Sequence, residues 1–216
     1  MTNLQNIIDS LLTSDFSKET ARIMTIYGSQ CSSIIEYGSR GGVSGTIILG
    51  ALVKGQNLSK YRPRFVAVDL IHDNSISNLD KISKENNISF QFWKGHSLQY
   101  PIHETDGFVW DTFHSGGALF HDLNRISPYV HKYIMIFGIQ TFGLVSEAVK
   151  SGIDIGAVSR ELHISEEDTR MNMRDGISKF IGQNNEWVIE KEFGEICILA
   201  RKNPSGKTLF TVTAKY

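Results

Sequence analysis

The chain has 216 residues, of which 41% are hydrophobic and 21% are charged, and its formal net charge is −1. This composition is ordinary for one globular domain with a substantial core. No excess of basic residues suggests a nucleic-acid partner, and no apolar run reaches the length of a membrane span.

The two cysteines, Cys31 and Cys197, lie far apart, each beside an apolar run. This placement predicts buried free thiols in a reducing compartment rather than a disulfide. No Cys or His has the spacing of metal ligands, and the N-terminus lacks the basic and apolar regions of a signal peptide. We therefore expect a cytoplasmic protein with neither a nucleic-acid nor a membrane partner.

Two helices are predicted within residues 1–30. Apolar residues at helical spacing predict the first, from Leu4 to Leu12, and a second is expected from about Ser17 to Tyr27, ended by Gly28. Such leading helices pack on one face of a sheet or on a neighbouring subunit, although they can also close over a ligand.

A strand, a glycine turn and a helix are predicted from the stretch IIEYGSRGGVSG, residues 34–45, and the following apolar residues from Thr46 to Val53. The strand ends at Glu36. Glycine tolerates positive φ and lets a ligand approach the backbone closely. In a doubly wound sheet, nucleotide-like ligands bind at this point. Candidate cofactor-binding residues in this stretch are Glu36, Gly38, Ser39, Arg40, Gly41, Gly42 and Ser44.

The turn is not the dinucleotide fingerprint Gly-x-Gly-x-x-Gly, because Arg40 stands where that pattern needs its second glycine. An acid ahead of the turn suits a ligand with an ammonium group better than a pyrophosphate. The pattern resembles motif I of class I S-adenosylmethionine (SAM)-dependent methyltransferases. A glycine turn used only for close packing is the alternative.

Asp69 ends the second predicted strand, Arg64 to Leu70. A carboxylate at this edge can accept both hydrogen bonds of a ribose diol. The third strand, Ile88 to Trp93, is followed by His96 and Ser97. The methyltransferase resemblance implies an acid here that accepts a hydrogen bond from the adenine amine. A neutral His96 ring can accept the same bond, and Ser97 adds a polar contact; a surface-loop histidine is the alternative.

The fourth predicted strand runs from Gly107 to Asp111 and continues into DTFHSGGALFHDLNRISPYVHKYIMI. This stretch resembles a small family of sugar O-methyltransferases that includes rhamnosyl O-methylases and a methyltransferase of cephalosporin biosynthesis. The methyltransferase module of a viral glycan-building enzyme is also similar. The resemblance covers roughly Thr20 to Lys202. It implies a Rossmann-like α/β sandwich whose mostly parallel seven-stranded sheet ends in an antiparallel hairpin.

His114 is the candidate general base for methyl transfer to an alcohol. An imidazole titrates near neutral pH and can withdraw the hydroxyl proton, which is worth about 10²–10⁴-fold in rate. Asp111 can orient that imidazole, lie near the sulfonium of SAM as a counter-charge, or take the proton itself. Helix capping or packing by His114 is the alternative.

The fifth predicted strand, within KYIMIFGIQTFG, departs from the resembled family, which has a His-Asp or Glu-Asp pair where Phe137 and Gly138 stand. In metal-dependent relatives that carboxylate helps to hold a divalent cation. Hard cations need several oxygen ligands, so we expect metal-independent catalysis. A non-catalytic relative would show the same loss. Gln140 and Thr141 are candidate sugar-binding residues.

Residues 144–182 form a polar segment that we interpret as a substrate lid, in which Ser165 and Asp168 form a capping box. Alternation predicts a hairpin from Trp187 to Phe193 and Glu195 to Arg201. Residues 203–216 form a tail or an edge strand that can pair with another subunit.

The sequence thus predicts one SAM-dependent methyltransferase domain over residues 1–216, methylating a sugar or glycan hydroxyl, rhamnose-type by resemblance. The alternatives are a non-catalytic SAM-binding or glycan-binding module, a metal-dependent small-molecule O-methyltransferase, and an NAD-dependent oxidoreductase, against which Arg40 argues. A homo-oligomer is compatible with these patterns.

Overall fold

The computed structural model describes residues 18–39, 41–56 and 62–203. The predicted helix at residues 4–12, Arg40 and the predicted C-terminal edge strand lie outside the described residues. Among the described residues, no helix is both long enough and apolar enough to cross a membrane.

Among the described residues, seven strands form one sheet, because short runs rich in β-branched and aromatic residues favour extended backbone. In chain order they are β1 Ser33–Tyr37, β2 Arg64–Asp69, β3 Ser89–Lys94, β4 Thr105–Trp110, β5 Val130–Phe137, β6 Trp187–Phe193 and β7 Ile196–Arg201. Their spatial order is β3-β2-β1-β4-β5-β7-β6. The first five are parallel, and β7 pairs antiparallel with both β5 and β6. The predicted mostly parallel sheet with an antiparallel C-terminal hairpin is confirmed.

Nine helices are present among the described residues. In chain order they are α1 Lys18–Gly28, α2 Val43–Gly55, α3 Asn74–Glu85, α4 Gly116–Ile126, α5 Ile139–Phe142, α6 Glu147–Ser151, α7 Ile155–Leu162, α8 Glu166–Arg170 and α9 Met173–Gln183. Two short 3₁₀ turns, Ser97–Gln99 and Ser127–Tyr129, precede β4 and β5.

Helices cover both faces of the sheet, because the central parallel strands β1, β2 and β4 are buried on both sides. Ile34 and its alternate neighbours pack with α1, α2 and α3. Ile35 and Tyr37 point to the other face, where Leu123 of α4 and Phe180 of α9 cover them. The result is a three-layer sandwich whose carboxyl-end edge is left for a site.

Helix starts follow local capping chemistry. Gly42 precedes α2 in the left-handed region, at φ 68°, so this helix begins three residues before the predicted Thr46. Ser165 accepts a hydrogen bond from the backbone N–H of Asp168, which confirms the predicted cap. The remaining boundaries lie within a few residues of those predicted.

Candidate active site

A cavity of about 470 Å³ opens at the carboxyl ends of the central parallel strands. Six of the predicted site residues line it: Gly38, Asp69, His96, Ser97, Asp111 and His114. Residues 144–182, the predicted lid segment, add Glu147, Glu161, Leu162 and Ile164 to its wall. The fold therefore brings together groups that are more than 100 residues apart in the chain.

Gly38 crosses between the ends of β1 and β4. Its φ is +82°, and a Cβ built on it would fall 1.9 Å from the carbonyl oxygen of Asp111. The backbone N–H of Asp111 donates to the carbonyl of Tyr37 at 2.9 Å, and that of Gly38 donates to the carbonyl of Val68 at 3.0 Å. Only glycine fits here, and its close approach fixes the position of Asp111.

The other described residues of the glycine turn, Ser39, Gly41, Gly42 and Ser44, do not line the cavity. A Cβ on Gly42 would lie 2.9 Å from the Cβ of Ser75, whereas one on Gly41 would meet open space. Gly42 therefore serves the packing of the turn against α3. The Ser39 hydroxyl is buried without a hydrogen-bond partner among the described residues.

Glu36 is fully buried at the end of β1. Neither of its carboxylate oxygens accepts a hydrogen bond of good geometry from a described residue. A Cβ built on Gly45 would lie 3.4 Å from Oε2, so the carboxylate lies against the first turn of α2. Burial raises the pKa of Glu36 to about 8, although the nearby Ser44 hydroxyl opposes this rise. A buried carboxyl group without a hydrogen-bond partner is costly. Glu36 is not among the residues that line the cavity, so its predicted contact with the cofactor stays a prediction.

Asp69 lies at the end of β2, half-buried, and its Oδ1 accepts the backbone N–H of Ile71 at 3.0 Å. The adjacent Leu70 and Ile71 are 55% and 48% exposed, and both line the cavity. This edge therefore combines a carboxylate with an uncovered apolar surface.

His96 caps the 3₁₀ turn that follows β3. Its Nδ1 accepts the backbone N–H of Leu98 at 3.2 Å. In the neutral ring the proton is therefore on Nε2, so His96 meets a ligand as a hydrogen-bond donor. The predicted acceptor role toward an adenine amine does not fit this geometry, because the accepting nitrogen is already used.

His114 is held between two carboxylates. Its Nε2 lies 3.4 Å from Oδ1 of Asp111, and its Nδ1 lies 3.0 Å from Oε2 of Glu147. The ring stacks on Phe142, with centroids 4.7 Å apart, and meets the edge of Trp110 at 5.9 Å. Burial lowers the pKa of His114, but the hydrogen bonds and charges of Asp111 and Glu147 outweigh it and raise the pKa to about 9. At neutral pH the ring is an imidazolium.

The sequence did not point to Glu147. It follows the buried helix cap Ser146, 33 residues after His114, in a segment with no motif around it. The only sequence signal was the prediction that this segment covers the site. Glu147 contacts Nδ1 of the ring, whereas Asp111 contacts Nε2.

Asp122 and His121 of α4 also line the cavity and were not predicted as site residues. Asp122 accepts the indole N–H of Trp110 at 2.9 Å and lies 3.4 Å from the Arg125 guanidinium. Burial raises the pKa of Asp122. His121 lies on the more exposed side, 3.2 Å from Asp168.

Gln140 and Thr141 do not line the cavity. The Thr141 hydroxyl and backbone N–H both donate to Glu195, in the turn of the C-terminal hairpin. Their predicted contact with a sugar stays a prediction that the cavity does not support. Among the described residues, no group of three or more His, Cys, Asp or Glu side chains is arranged to hold a metal ion.

Solved methyltransferase structures share this fold. The Podospora anserina methyltransferase PaMTH1, bound to S-adenosylhomocysteine (SAH), matches with a TM-score of 0.57 and 13% identity, over 94% of this chain and 89% of that chain. The O-methyltransferase TomG from Streptomyces achromogenes, bound to SAM, matches with a TM-score of 0.54 and 12% identity, over 93% and 90%. The O-methyltransferase from Bacillus cereus, in complex with SAH, gives 0.50 and 12%, over 92% and 88%.

No protein-family model and no curated protein matches this sequence. At these identities the likeness to solved structures shows the fold alone. The chain has the Rossmann-like fold of class I SAM-dependent methyltransferases.

Proposed function

We propose that this protein is a SAM-dependent O-methyltransferase that acts on a hydroxyl of a neutral acceptor, of which a sugar or glycan is our favoured class. One observation carries the proposal: Asp69, Asp111 and His114 converge on one cavity at the carboxyl-end edge of the sheet. In this fold that edge is the place for a nucleotide-like ligand.

The residues present fit SAM. Glu36 is a buried carboxyl group without a good hydrogen-bond partner beside the glycine turn, and Gly38 of that turn lines the cavity. Asp69 would bind the ribose diol, while His96 and Ser97 would contact the adenine. When bound, SAM would supply a sulfonium methyl group that a nucleophilic oxygen can take up, with SAH as the leaving group.

The protein's own part in the reaction is to orient the acceptor and to take its proton. Holding two reactants in line supplies much of the acceleration of a displacement. The Asp111 carboxylate and the Nε2 edge of His114 lie side by side at the cavity. Because the pKa of His114 is about 9, the ring acts as a base only after losing its Nε2 proton, so turnover should rise from neutral to alkaline pH.

The charges of the cavity disfavour an anionic acceptor. Five carboxylate residues line it, and neither lysine nor arginine does so among the described residues. An anionic acceptor would meet unfavourable potential here. A sugar hydroxyl group agrees with this charge pattern, while the rhamnose-type acceptor rests on sequence resemblance. A cytoplasmic location and self-association likewise stay predictions.

A non-catalytic SAM-binding or glycan-binding module is the second candidate, and it predicts cofactor binding without turnover. Calorimetric titration of the protein with SAM and SAH, with chelator present and NAD as the control, tests cofactor binding, and an assay of methyl transfer to sugar acceptors then separates the enzyme from the non-catalytic module. Micromolar affinity, about −8 kcal/mol, for both SAM compounds and none for NAD supports the proposal and justifies screening sugar acceptors. If neither SAM nor SAH binds, the proposed function is refuted.

A further inference from the structure

Glu147 contacts His114 at three points. The backbone N–H of His114 and its ring Nδ1–H both donate to Oε2 of Glu147, each at 3.0 Å. The backbone N–H of Glu147 donates in return to the carbonyl of His114 at 2.8 Å. A surface glutamate at a helix start would make none of these contacts, so the start of α6 is docked onto the loop after β4.

We propose that Glu147 is the positioning residue of the active site: it fixes the orientation and tautomer of the His114 ring so that Nε2 faces Asp111 and the cavity. This inference rests on the proposed function, in which His114 takes the acceptor proton. Glu147 itself touches neither reactant in this role.

The packing around the ring does not by itself fix which edge points to the cavity. Phe142 covers one face of His114, and Trp110 meets the ring edge-on. Both contacts are apolar and would tolerate a ring flipped by 180°, which exchanges nitrogen and carbon positions. Hydrogen bonding to Glu147 removes this ambiguity, because only Nδ1–H can donate to the carboxylate.

The contact with Glu147 determines which ring nitrogen of His114 exchanges its proton. Glu147 keeps a proton on Nδ1 in both the neutral ring and the imidazolium, so the exchangeable proton is the one on Nε2. When the acceptor oxygen forms its bond to the methyl carbon, the methyl–sulfur bond breaks, and the hydroxyl proton goes to Nε2. The charges of Asp111, after β4, and Glu147, of α6, act directly on the ring. Glu161 of α7 and Asp122 of α4 line the same cavity. Lys150 Nζ lies 5.3 Å from the centroid of Phe142, the ring that stacks on His114.

The test is an NMR titration of the histidine ring nitrogens in the ligand-free protein, with His114 assigned by its absence in His114→Gln. Glu147→Gln keeps the size of the side chain but removes its charge. We expect the wild-type His114 ring to lose its Nε2 proton near pH 9 and to keep its Nδ1 proton. In Glu147→Gln the pKa of His114 should be lower by at least about one pH unit, which is a tenfold change in the protonation equilibrium.

Glu161→Gln is the matched control, because it removes a carboxylate from the cavity wall without touching His114. Its effect on the His114 titration should be several times smaller. Equal shifts in Glu147→Gln and Glu161→Gln, or a wild-type neutral ring with its proton on Nε2, would overturn the proposal. The tautomer of the neutral His114 ring is measured in the wild-type protein, so the proposal stays testable even if Glu147→Gln does not fold.

SAM titration of the same proteins separates this inference from the proposed function. Glu147→Gln should bind SAM within about threefold of the wild type, because the proposed ribose and adenine contacts come from Asp69, His96 and Ser97, on other elements of the site. If the wild-type protein binds no SAM, the proposed function is refuted, and the orientation of His114 then has no role in methyl transfer. A bound cofactor with an unshifted His114 titration refutes the role of Glu147 alone.

Discussion

Gly138 lies directly beneath the imidazole of His114: a Cβ built on Gly138 would fall 2.2 Å from Cδ2 of the ring and 2.6 Å from Nε2. Its φ is +84°, in the left-handed region. We expect Gly138→Ala to destabilise the protein by about 1–3 kcal/mol and to displace the His114 ring. Thermal unfolding and the His114 ring resonances measure the two effects.

Gly152→Ala is the matched control for this prediction. Gly152 also has positive φ, at +65°, but a Cβ there meets nothing within 4 Å. The control therefore carries the backbone strain without the clash and should leave the ring resonances in place. Identical behaviour of the two variants would mean that Gly138 serves the turn and not the site.

The same glycine shows what the sequence could and could not predict. At Gly138 the sequence departs from the family that it resembles, and this departure alone suggests the loss of a metal ligand. Because Gly138 has no side chain, it leaves space for the His114 ring. This role depends on how β5 packs against the loop after β4, and no local sequence pattern predicts that packing. Glu147 was hidden for the same reason, since a contact across 33 residues leaves no periodicity.

Asp69→Ala should weaken SAM binding by at least about a hundredfold, because a carboxylate that accepts two hydrogen bonds from a diol contributes about 1.5–3 kcal/mol for each bond. The calorimetric affinities for SAM and SAH measure this, since both carry the ribose. Asp80→Asn, on the exposed face of α3, removes a carboxylate away from the cavity and serves as the control. Unchanged SAM affinity in Asp69→Ala would remove Asp69 from the cofactor site.

Glu36 should make the ligand-free protein less stable as the pH rises. Its folded pKa of about 8 exceeds the ordinary value of 4.5, so its contribution to stability is fully present below pH 4.5 and is lost as the pH rises through 8. The slope reaches about 1.4 kcal/mol per pH unit, or on the order of 3–4 kcal/mol between pH 5 and pH 8. Glu36→Gln lacks this titration and should gain stability relative to wild type over that range.

Urea unfolding at pH 5, 6.5 and 8 checks the Glu36 prediction. His114 also loses stabilisation between about pH 6.5 and 9 because its pKa is raised, but both proteins share that loss and it cancels in their difference. The exposed Glu85→Gln is the control and should follow the wild-type curve. Parallel curves for wild type and Glu36→Gln would contradict the prediction.

The strands and the glycine turn were predictable because their signals are local. The β-branched runs, Gly38 and the acid at the end of β2 mark the strand ends of a doubly wound sheet without reference to the rest of the chain. Whether a side chain donates or accepts a hydrogen bond cannot be predicted from such local patterns. His96 was correctly placed at the cavity edge, yet its donor role follows only from the contact of Nδ1 with Leu98.

Acceptor affinity should fall with negative charge. Glucose, glucosamine and glucuronate form a matched series, titrated into the SAH complex at low salt. We expect glucuronate to bind at least about tenfold more weakly than glucose, with the difference shrinking as salt screens the cavity carboxylates. Glu161→Gln should narrow the gap. Preference for glucuronate would contradict the charge argument, and binding of none of the three would contradict the sugar assignment.

Magnesium should neither be required by the site nor bind to it. Asp111 and Glu147 are the two carboxylates nearest the reacting edge, and both already engage His114, whose raised pKa keeps it positively charged at neutral pH. A divalent cation placed there would face an imidazolium and would lack the six or more oxygen ligands that hard cations prefer. Thermal unfolding and SAM titration, each with chelator and with excess Mg²⁺, should therefore give the same values. A specifically bound ion at 100 times its Kd would instead add about 2.7 kcal/mol of stability, a shift in Tm of several degrees that would contradict the metal-independent reading.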